Sequence, residues 1–325
     1  MITYDHPLQL LQQLSSGTPQ AEAHLLERLK TTPVGLQQAL LTLKAWGIRG
    51  VTHADHHYQL TTPPPRLSHA ALCHQSHSED IRLIPVLSST NQALLEQQQA
   101  LQSGAACVAE YQTAGRGCRG RSWLTTFGSC ALFSMLWHWP RQPHTLVGLS
   151  VALSLVTAET LQRLGAQQVT VKWPNDLYIE GRKLGGLLIE TAGAAAGRAG
   201  VALVIGCGIN LITPVSQQHA IHQPVMSLQA AGIVIAAEQL IGQVLNAWRV
   251  ALPQFVEQGL AACLARWPQL DAFIGQPVHL QPPQGAAIVG IARGIDHQGA
   301  LLVEHQGTLQ RFIQGKLSLS AEPLG

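Results

Sequence analysis

Charged side chains and paired cysteines are scarce in this chain of 325 residues. Only 12% of the residues are charged and the formal net charge is +2, which argues against a protein that coats nucleic acid through its overall charge. The six cysteines form no CxxC pair and no zinc-ligand spacing, so we expect free, buried thiols in a reducing compartment. The N-terminus shows no basic segment followed by an apolar run, which predicts a cytoplasmic protein.

Long apolar runs and nucleophile motifs are also missing. The most apolar helix candidate, residues 146–164, contains serine, threonine, glutamate and arginine, so we predict a core helix and no membrane span. No Gly-x-Ser-x-Gly elbow and no convincing pair of nucleophile and base occurs. Two histidine clusters lie in turn-like stretches, where we expect solvated loop histidines and no metal site. These clusters are His53, His56 and His57, and His69, His74 and His77.

The most informative segment runs from Tyr111 to Trp123. Between Gly115 and Arg121 it places three arginines and three glycines in seven residues. Glycine lets the backbone approach a ligand closely, and arginine binds carboxylate and phosphate oxygens through a rigid, charged fork. We therefore predict that this segment, the Arg loop, closes over a polyanion; the alternative is a mobile, solvated basic loop without a ligand.

The Arg loop also matches two familiar nucleotide-binding patterns. Gly115, Gly117 and Gly120 fit the dinucleotide fingerprint, and residues 115–122 nearly fit a P-loop with Arg where Lys belongs. Each pattern needs a helix that opens directly after the glycines. The apolar residues 131–137 predict a strand there instead, so we treat both matches as coincidental.

Two later segments combine strand patterns with polar residues. Residues 169–190 predict three strands, with a polar break at Pro174 to Asp176 that needs either a turn or a site. Lys183 lies beside two glycines, as a compact cation next to exposed backbone; the alternative is a solvated turn lysine. Residues 204–210 predict a buried strand that ends in a glycine-rich turn.

Taken in order, these motifs resemble those of the biotin protein ligases. They are Ser88-Ser89-Thr90-Asn91, Gly-Arg-Gly-x-Arg-Gly-Arg at 115–121, Lys-Trp-Pro-Asn-Asp at 172–176, Arg-Lys-Leu-x-Gly-x-Leu-x-Glu at 182–190 and Gly-x-Gly-x-Asn at 206–210. The resemblance covers approximately residues 80 to 320. The N-terminal extension is similar to that of the bifunctional ligases that double as biotin-operon repressors.

The element pattern and the resemblance together predict an α+β fold in three domains. These are a winged helix-turn-helix over 1–62, a mixed-sheet ligase domain over 67–270 and an SH3-like β-barrel over 271–325, with a stiff linker at 61–66. In the central domain we predict strands at 81–87, 106–111, 131–137, 169–173, 176–180, 183–190 and 201–205, helices at 91–102, 146–164 and 238–258, and a surface loop at 191–200. In the C-terminal domain we predict strands at 277–281, 287–295, 300–305 and 308–313.

The N-terminal domain is predicted as three helices and a hairpin, at 8–14, 21–30, 34–46, 47–52 and 58–61. Residues 1–60 carry four basic and four acidic side chains. The third predicted helix, which would be the DNA-recognition helix, begins without a basic residue. Lys and Arg usually dominate affinity for DNA phosphates, although glutamine can read adenine edges. Two interpretations therefore stay open. The domain binds operator DNA through Val34, Gln37 and Gln38, or it is a helix-turn-helix that serves only packing or regulation.

The resemblance implies a reaction in two steps. The biotin carboxylate attacks the α-phosphate of MgATP, which gives biotinyl-5′-AMP and pyrophosphate. A lysine of the biotin carboxyl carrier protein of acetyl-CoA carboxylase then takes the biotin and releases AMP. No enzyme nucleophile is needed, so catalysis would come from positioning and charge stabilisation.

The family's roles transfer onto matching positions of this chain, with Lys183, Arg116 and Arg121 as catalytic groups. The biotin-binding positions are Ser89, Thr90, Asn91, Gln112, Arg116, Gly117, Cys118 and Lys183. The ATP and adenylate positions are Arg119, Arg121, Trp123, Lys172, Asn175, Asp176 and Asn210. Mg²⁺ would arrive with ATP, with Asp176 as its candidate protein ligand. Two plainer readings stay open: Thr90 and Asn91 as a helix cap, and Trp123 as a core side chain.

Two positions depart from the family pattern. Cys118 stands where repressor-type members usually carry another arginine, so we expect a looser hold on the adenylate. Ser320 stands where some relatives carry an arginine near the nucleotide. A homodimer through the ordered Arg loop is implied by the resemblance alone. The alternative functions are a lipoate or octanoate transferase, which shares the hairpin of lysine and glycines, and a non-catalytic, biotin-sensing DNA-binding regulator.

Overall fold

A computed structural model of the chain describes residues 4–192, 200–212 and 224–319, and at position 119 the backbone alone. The N-terminal part contains helices α1 to α3 and strands β1 to β3. Their bounds are α1 Asp5–Leu14, β1 Gln20–Ala21, α2 Glu22–Leu29, α3 Pro33–Ala45, β2 Val51–Ala54 and β3 His57–Leu60. The three helices and the β2–β3 hairpin confirm the predicted elements, and the two-residue β1 joins them in a sheet of order β1-β3-β2.

Helix α3 begins where local chemistry favours a helix start. Thr32 accepts a hydrogen bond from the Gly35 amide at 3.2 Å, and Pro33 occupies the first helical turn, where its missing N–H costs nothing. The apolar positions Leu36, Ala39 and Leu43 recur at helical spacing and are buried against α1.

The N-terminal part packs directly on the central domain through Trp46. The indole stacks on Phe127 with a centroid distance of 5.8 Å and lies 5.9 Å from the ring of Tyr111. The Phe127 amide donates to the Trp46 carbonyl at 2.9 Å. One apolar cluster thus joins the helix-turn-helix to the segment that carries the Arg loop.

In the described residues, the central domain is built on a seven-stranded mixed sheet of order β4-β6-β8-β12-β11-β10-β9, and among these strands only β4 and β6 pair in parallel. Its strands are β4 Ile81–Leu83, β6 Ala106–Ala109, β8 Cys130–Trp139, β9 Thr170–Lys172, β10 Asp176–Ile179, β11 Arg182–Ala192 and β12 Val201–Asn210, and β5 Val86–Leu87 pairs separately with β7 Tyr111–Gln112. Its helices are α4 His69–Ser76, α5 Thr90–Leu95, α6 Leu149–Arg163, α7 Ala237–Gln258, α8 Ala261–Leu264 and α9 Trp267–Leu270.

The two faces of this sheet are covered differently. Helices α4, α6 and α7 share one large apolar core with it, whereas the short α5 packs on the opposite face against β6, β8 and β12. The mixed sheet with helices mostly on one face confirms the predicted α+β class. The face that α5 covers only partly is the one where the candidate site lies.

Several predicted elements need correction. The predicted strand 81–87 is interrupted after Leu83, because the chain turns through Pro85, and the predicted helix 91–102 ends at Leu95. Residues 69–76 are helix α4 and not a loop, since Ser68 caps the helix by accepting from the Ala71 amide at 3.2 Å. The first two residues of the predicted loop 191–200 belong to β11, which continues to Ala192, and its residues 193–199 lie outside the described residues.

Helix α6 is the apolar helix foreseen from the sequence. By length and composition alone, residues Pro143–Arg163 would suffice to cross a membrane. In the structure 56% of the most apolar stretch of this segment is buried, and its leucines and alanines pack on the sheet and on α7. This packing confirms the predicted core helix.

The C-terminal part is a five-stranded antiparallel sheet of order β16-β15-β14-β13-β17, as expected for a small all-β domain. Its strands are β13 Pro277–Gln281, β14 Ile288–Ile295, β15 Leu301–His305, β16 Thr308–Phe312 and β17 Lys316–Leu319, of which β17 was not foreseen. Its core is continuous with that of the central domain, and Trp173 donates its indole N–H to the Gly299 carbonyl at 2.9 Å. The domain limits proposed from the sequence stay predictions.

Candidate functional site

The predicted binding residues converge on one cleft between the Arg loop and the open face of β11 and β12. The predicted residues that line it are Ser89, Thr90, Asn91, Gln112, Arg116, Gly117, Cys118, Arg121, Trp123, Asn175, Asp176 and Lys183. They come from five separate elements, so only the folded chain brings them together.

Glycines in β12 make the room for this cleft. Gly206 and Gly208 were expected in a turn, but β12 continues through both to Asn210. A Cβ at Gly206 would lie 2.1 Å from Asn91 Oδ1, and one at Gly208 would lie 2.7 Å from the Trp123 ring. The glycines therefore stand in the strand because side chains from distant segments pack against bare backbone there.

One end of the cleft is a buried polar network at the start of α5. Gln112 Oε1 accepts from the Thr90 amide at 2.8 Å and lies 3.2 Å from the Thr90 hydroxyl. Ser134 Oγ lies 2.7 Å from Thr90 Oγ1 and 2.5 Å from Asn91 Oδ1. Thr90 thus combines the predicted site position with a place in the first turn of a helix, and its side chain faces the cleft.

The Arg loop is folded back on itself as a tight hairpin over the cleft. The Gly117 amide donates to the Arg121 carbonyl at 2.7 Å, and the Trp123 amide donates to the Gly115 carbonyl at 2.8 Å. A single 3₁₀ turn, Cys118–Gly120, forms its tip, and the next regular element is strand β8. The missing helix confirms that the dinucleotide and P-loop matches were coincidental.

Lys183 is the buried cation of the site. Its side chain is 8% exposed, its Nζ lies 2.6 Å from Asp176 Oδ1, and it sits 5.5 Å from the centroid of the Trp123 ring. Gly186 allows this pairing, since a Cβ there would come 2.9 Å from the same Asp176 oxygen. Asp176 neutralises the ammonium, which would otherwise be an uncompensated buried charge.

Two predicted residues lie near the cleft but do not line it. Lys172 is the cross-strand partner of Asp176 and lies on the same face of the sheet, and its Nζ lies 3.1 Å from the Tyr178 hydroxyl. Burial lowers the pKa of Lys172 to about 8; the nearby Asp176 opposes this shift, whereas Lys183 and Arg121 add to it. Asn210 donates to the Met226 carbonyl at 3.0 Å, which makes it a brace beside the cleft.

Asn175 and Cys118 contact each other at the mouth of the cleft. The Asn175 amide nitrogen lies 3.0 Å from Cys118 Sγ and 2.5 Å from the Leu187 carbonyl. Cys118 is half-buried, whereas the other five cysteines are buried, as expected. The Arg119 side chain and Ser320 lie outside the described residues.

Sequence reasoning missed Ser134 and Glu190. Ser134 is fully buried in the apolar strand β8, and an isolated serine in such a run is a signal that it has a polar partner. Glu190 accepts from Asn91 at 2.7 Å and from Arg116 at 2.9 Å. Glu190 is the last residue of the motif at 182–190, but the neighbouring sequence gives no sign that its carboxylate turns towards the site.

The predicted DNA-reading residues lie on the outer part of α3. Val34 is 80% exposed and Gln38 is also exposed. Gln37 donates its amide to the Tyr58 hydroxyl at 2.9 Å, which ties it to the hairpin. Of the three, Gln38 is therefore the exposed polar residue whose side chain makes no hydrogen bond among the described contacts.

Comparison with known proteins agrees with this geometry. Residues 83–210 match the Biotin/lipoate A/B protein ligase family, and residues 273–319 match the biotin protein ligase C-terminal domain. A biotin protein ligase from Aquifex aeolicus, solved in complex with biotin and ATP, covers 74% of this chain and is itself covered to 99%, with a TM-score of 0.63 at 24% identity. That likeness shows the same fold.

The relatives found by sequence identify the family as well as the fold. Bifunctional ligase/repressor BirA of Salmonella typhimurium is 41% identical over 97% of this chain and 98% of its own length. The protein of that name from Escherichia coli is 40% identical with the same coverage. The chain therefore belongs to the biotin protein ligases, as its motifs indicated. Its near-full-length match is with the bifunctional ligase/repressor type, N-terminal domain included.

Proposed function

We propose that this protein is a biotin–[acetyl-CoA-carboxylase] ligase. It joins the biotin carboxylate to the α-phosphate of ATP and releases pyrophosphate. It then passes the biotinyl group to a lysine amine of the biotin carboxyl carrier protein and releases AMP. Because biotinyl-5′-AMP is an activated mixed anhydride, the enzyme needs no nucleophile of its own.

The observation that carries this proposal is the position of Lys183. Its buried ammonium, 2.6 Å from Asp176 and 5.5 Å from the Trp123 ring, belongs to the same cleft that Thr90 and the Arg loop line. A fixed cation in that cleft is suited to stabilise the negative charge that develops where a carboxylate meets a phosphate. The Arg116 and Arg121 side chains add positive charge from the loop side, so the site works by positioning and electrostatics.

The remaining assignments follow the shape of the cleft. Ser89, Thr90, Asn91 and Gln112 form the biotin end, and Gly117 and Cys118 cover the linkage between biotin and phosphate. We assign Arg119, Arg121, Trp123, Lys172, Asn175, Asp176 and Asn210 to the nucleotide side. For Lys172 this role acts at a distance through Asp176, and for Asn210 through the backbone that it braces.

Magnesium fits this site only together with the nucleotide. Among the described residues that line the cleft, Asp176 is the one carboxylate, and it is paired with Lys183. The described part of the chain contains no group of three or more metal-binding side chains. The phosphates would therefore supply most of the ligands, with Asp176 as one protein oxygen.

The polar end of the cleft favours biotin over lipoate. Thr90, Gln112 and Ser134 offer several hydrogen-bonding atoms within one buried volume. The cyclic urea of biotin can add hydrogen bonds to the polar atoms of this network that face the cleft, whereas the dithiolane of lipoate offers no such partner and would forgo approximately 0.5–1.5 kcal/mol for each bond. ATP–pyrophosphate exchange measured with each acid tests this choice. Exchange that requires biotin supports the ligase; exchange with lipoate alone contradicts it, and biotin binding without exchange indicates a sensor.

We also propose that the protein represses transcription, with biotinyl-5′-AMP as corepressor. The near-full-length likeness to bifunctional ligase/repressors and the exposed end of α3 favour this second function. A gel shift at low salt with the biotin-operon control region of the source organism, with and without biotin and ATP, tests it. A shift that needs both ligands and weakens in Gln38→Ala supports repression; no ligand-dependent shift contradicts it.

The carrier protein, the operator and a second copy of this chain are the partners that this proposal requires, and a cytoplasmic location fits all three. A homodimer is proposed from the likeness to repressor-type relatives. Sedimentation of the protein with and without biotinyl-5′-AMP tests it, and an unchanged monomer at concentrations that repress transcription contradicts it.

A further inference from the structure

Glu190 touches both halves of the candidate site. One of its carboxylate oxygens, Oε2, lies 2.7 Å from Asn91 Nδ2 at the biotin end and 2.9 Å from Arg116 Nη2 in the Arg loop. The Arg116 guanidinium also donates to Gln92 at 3.0 Å, so two partners hold it against the protein. A single carboxylate thus links the wall of the pocket to the loop that covers it.

The charge of Glu190 fixes the direction of the hydrogen bonds at the biotin end. An ionised carboxylate can only accept, so Asn91 must turn its amide nitrogen to Glu190. The Leu188 carbonyl, 3.4 Å from that nitrogen, also accepts from it and so weakly favours the same orientation of the Asn91 amide. Asn91 Oδ1 then faces the Ser134 hydroxyl at 2.5 Å, and an amide oxygen also can only accept. Ser134 therefore donates its one proton to Asn91.

This direction is passed on to Thr90. Its hydroxyl oxygen lies 2.7 Å from Ser134 Oγ and 3.2 Å from Gln112 Oε1. Ser134 has no proton left to give, so the Thr90 proton points inward to one of these two oxygens. A ligand in the cleft then meets only lone pairs on Thr90, which suits a urea N–H donor.

We propose that Glu190 is a positioning residue for the ligase reaction. It sets the hydrogen-bond direction of the biotin pocket through Asn91 and Ser134, and it anchors the Arg loop through Arg116. This inference rests on the proposed function, because it assigns biotin to the Thr90 end of the cleft.

The Glu190→Gln substitution isolates the first role. Glutamine keeps the size of the side chain, but its amide can donate or accept, so Asn91 is free to turn round. We expect biotin binding, measured calorimetrically in the full-length protein, to weaken about tenfold, as for loss of one buried hydrogen bond. Ser134→Ala breaks the same chain and should weaken binding by a similar factor. The double variant should bind about as tightly as either single variant, because both changes act on one network.

Limited trypsin digestion tests the second role, the anchoring of the Arg loop through Arg116. In Glu190→Gln the Arg loop loses its ion pair, so cleavage after the loop arginines should speed up several-fold. In Ser134→Ala the ion pair is intact, and cleavage should match the unaltered protein. Glu180→Gln is the matched control, since Glu180 pairs with Arg182 at 2.7 Å on the adjacent turn, outside the cleft. It should leave both measurements unchanged.

The outcomes separate this inference from the proposed function. Biotin affinity unchanged in Glu190→Gln, or losses that simply multiply in the double variant, would overturn the positioning role while the ligase proposal stands. An unaltered protein that binds no biotin at all would overturn both. A non-multiplicative loss of affinity, with faster loop cleavage in Glu190→Gln alone, supports the inference.

Discussion

Gly206 offers a sharp test of how the cleft is built. A Cβ at this position would lie 2.1 Å from Asn91 Oδ1 and 2.9 Å from Asn91 Cγ. The strand cannot yield, because β12 pairs with Ser134 of β8 on one side and with Leu188 of β11 on the other. In Gly206→Ala the Asn91 side chain must therefore leave its place.

The magnitude follows from the bonds that Asn91 would lose. Its contact with the Ser134 hydroxyl is neutral and its contact with the Glu190 carboxylate is charged. Because both contacts belong to one network, their contributions do not add, and the charged contact sets the scale at about 2 kcal/mol. If the whole loss appears in ligand binding, the biotin Kd should rise by roughly 30-fold.

Titration calorimetry with biotin measures this effect, and Gly290→Ala is the control. Gly290 is a strand glycine of the C-terminal domain, where a Cβ would lie 2.4 Å from the Glu304 carbonyl. Both variants should unfold at lower temperature, since each inserts a methyl group into filled space. Only Gly206→Ala should lose biotin affinity. Biotin binding within a few-fold of the unaltered protein in Gly206→Ala would refute the account of the cleft.

Three further predictions concern the loop, a buried lysine and the domain contact. Cys118→Arg should retain the adenylate longer and label fewer bystander lysines on added proteins, as counted by mass spectrometry; equal labelling would count against the role of Cys118. Since burial lowers the pKa of Lys172 from 10.5 to about 8, the unfolded chain binds more protons between these values. The free energy of unfolding should therefore rise with pH across this window relative to Lys172→Met, by up to about 3 kcal/mol; parallel denaturant profiles would contradict this. Trp46→Ala should cost about 3 kcal/mol or more of stability in urea unfolding, because the indole is buried against Phe127; a loss under 1 kcal/mol would contradict the packing.

Much of the fold followed from local patterns. The apolar runs of β8 and β12 and the alternating segments of the C-terminal sheet are where periodicity placed them, because burial dictates those residues directly. The ordered motifs located the cleft, since the Arg loop, Lys183 and the start of α5 all line it. These features are encoded within a few residues of sequence.

The rest depends on contacts between distant segments. Gly206 and Gly208 predict a turn by composition, and only the packing of Asn91 and Trp123 explains why they stand in a strand. Lys172 shares a motif and a face of the sheet with Asp176, yet its ammonium contacts the Tyr178 hydroxyl and does not line the cleft. Periodicity alone could not find these directions, because each is set by a partner far away in the chain.

Intact-mass analysis of an apo biotin-carrier domain, incubated with this protein, biotin and MgATP, tests the central claim most directly. We predict a single biotin adduct on one lysine that requires ATP and disappears in Lys183→Ala, while Lys172→Met retains measurable transfer. The control variant Glu180→Gln should label the carrier as the unaltered protein does. An absent adduct despite tight biotin binding, or an adduct that survives in Lys183→Ala, would contradict the account.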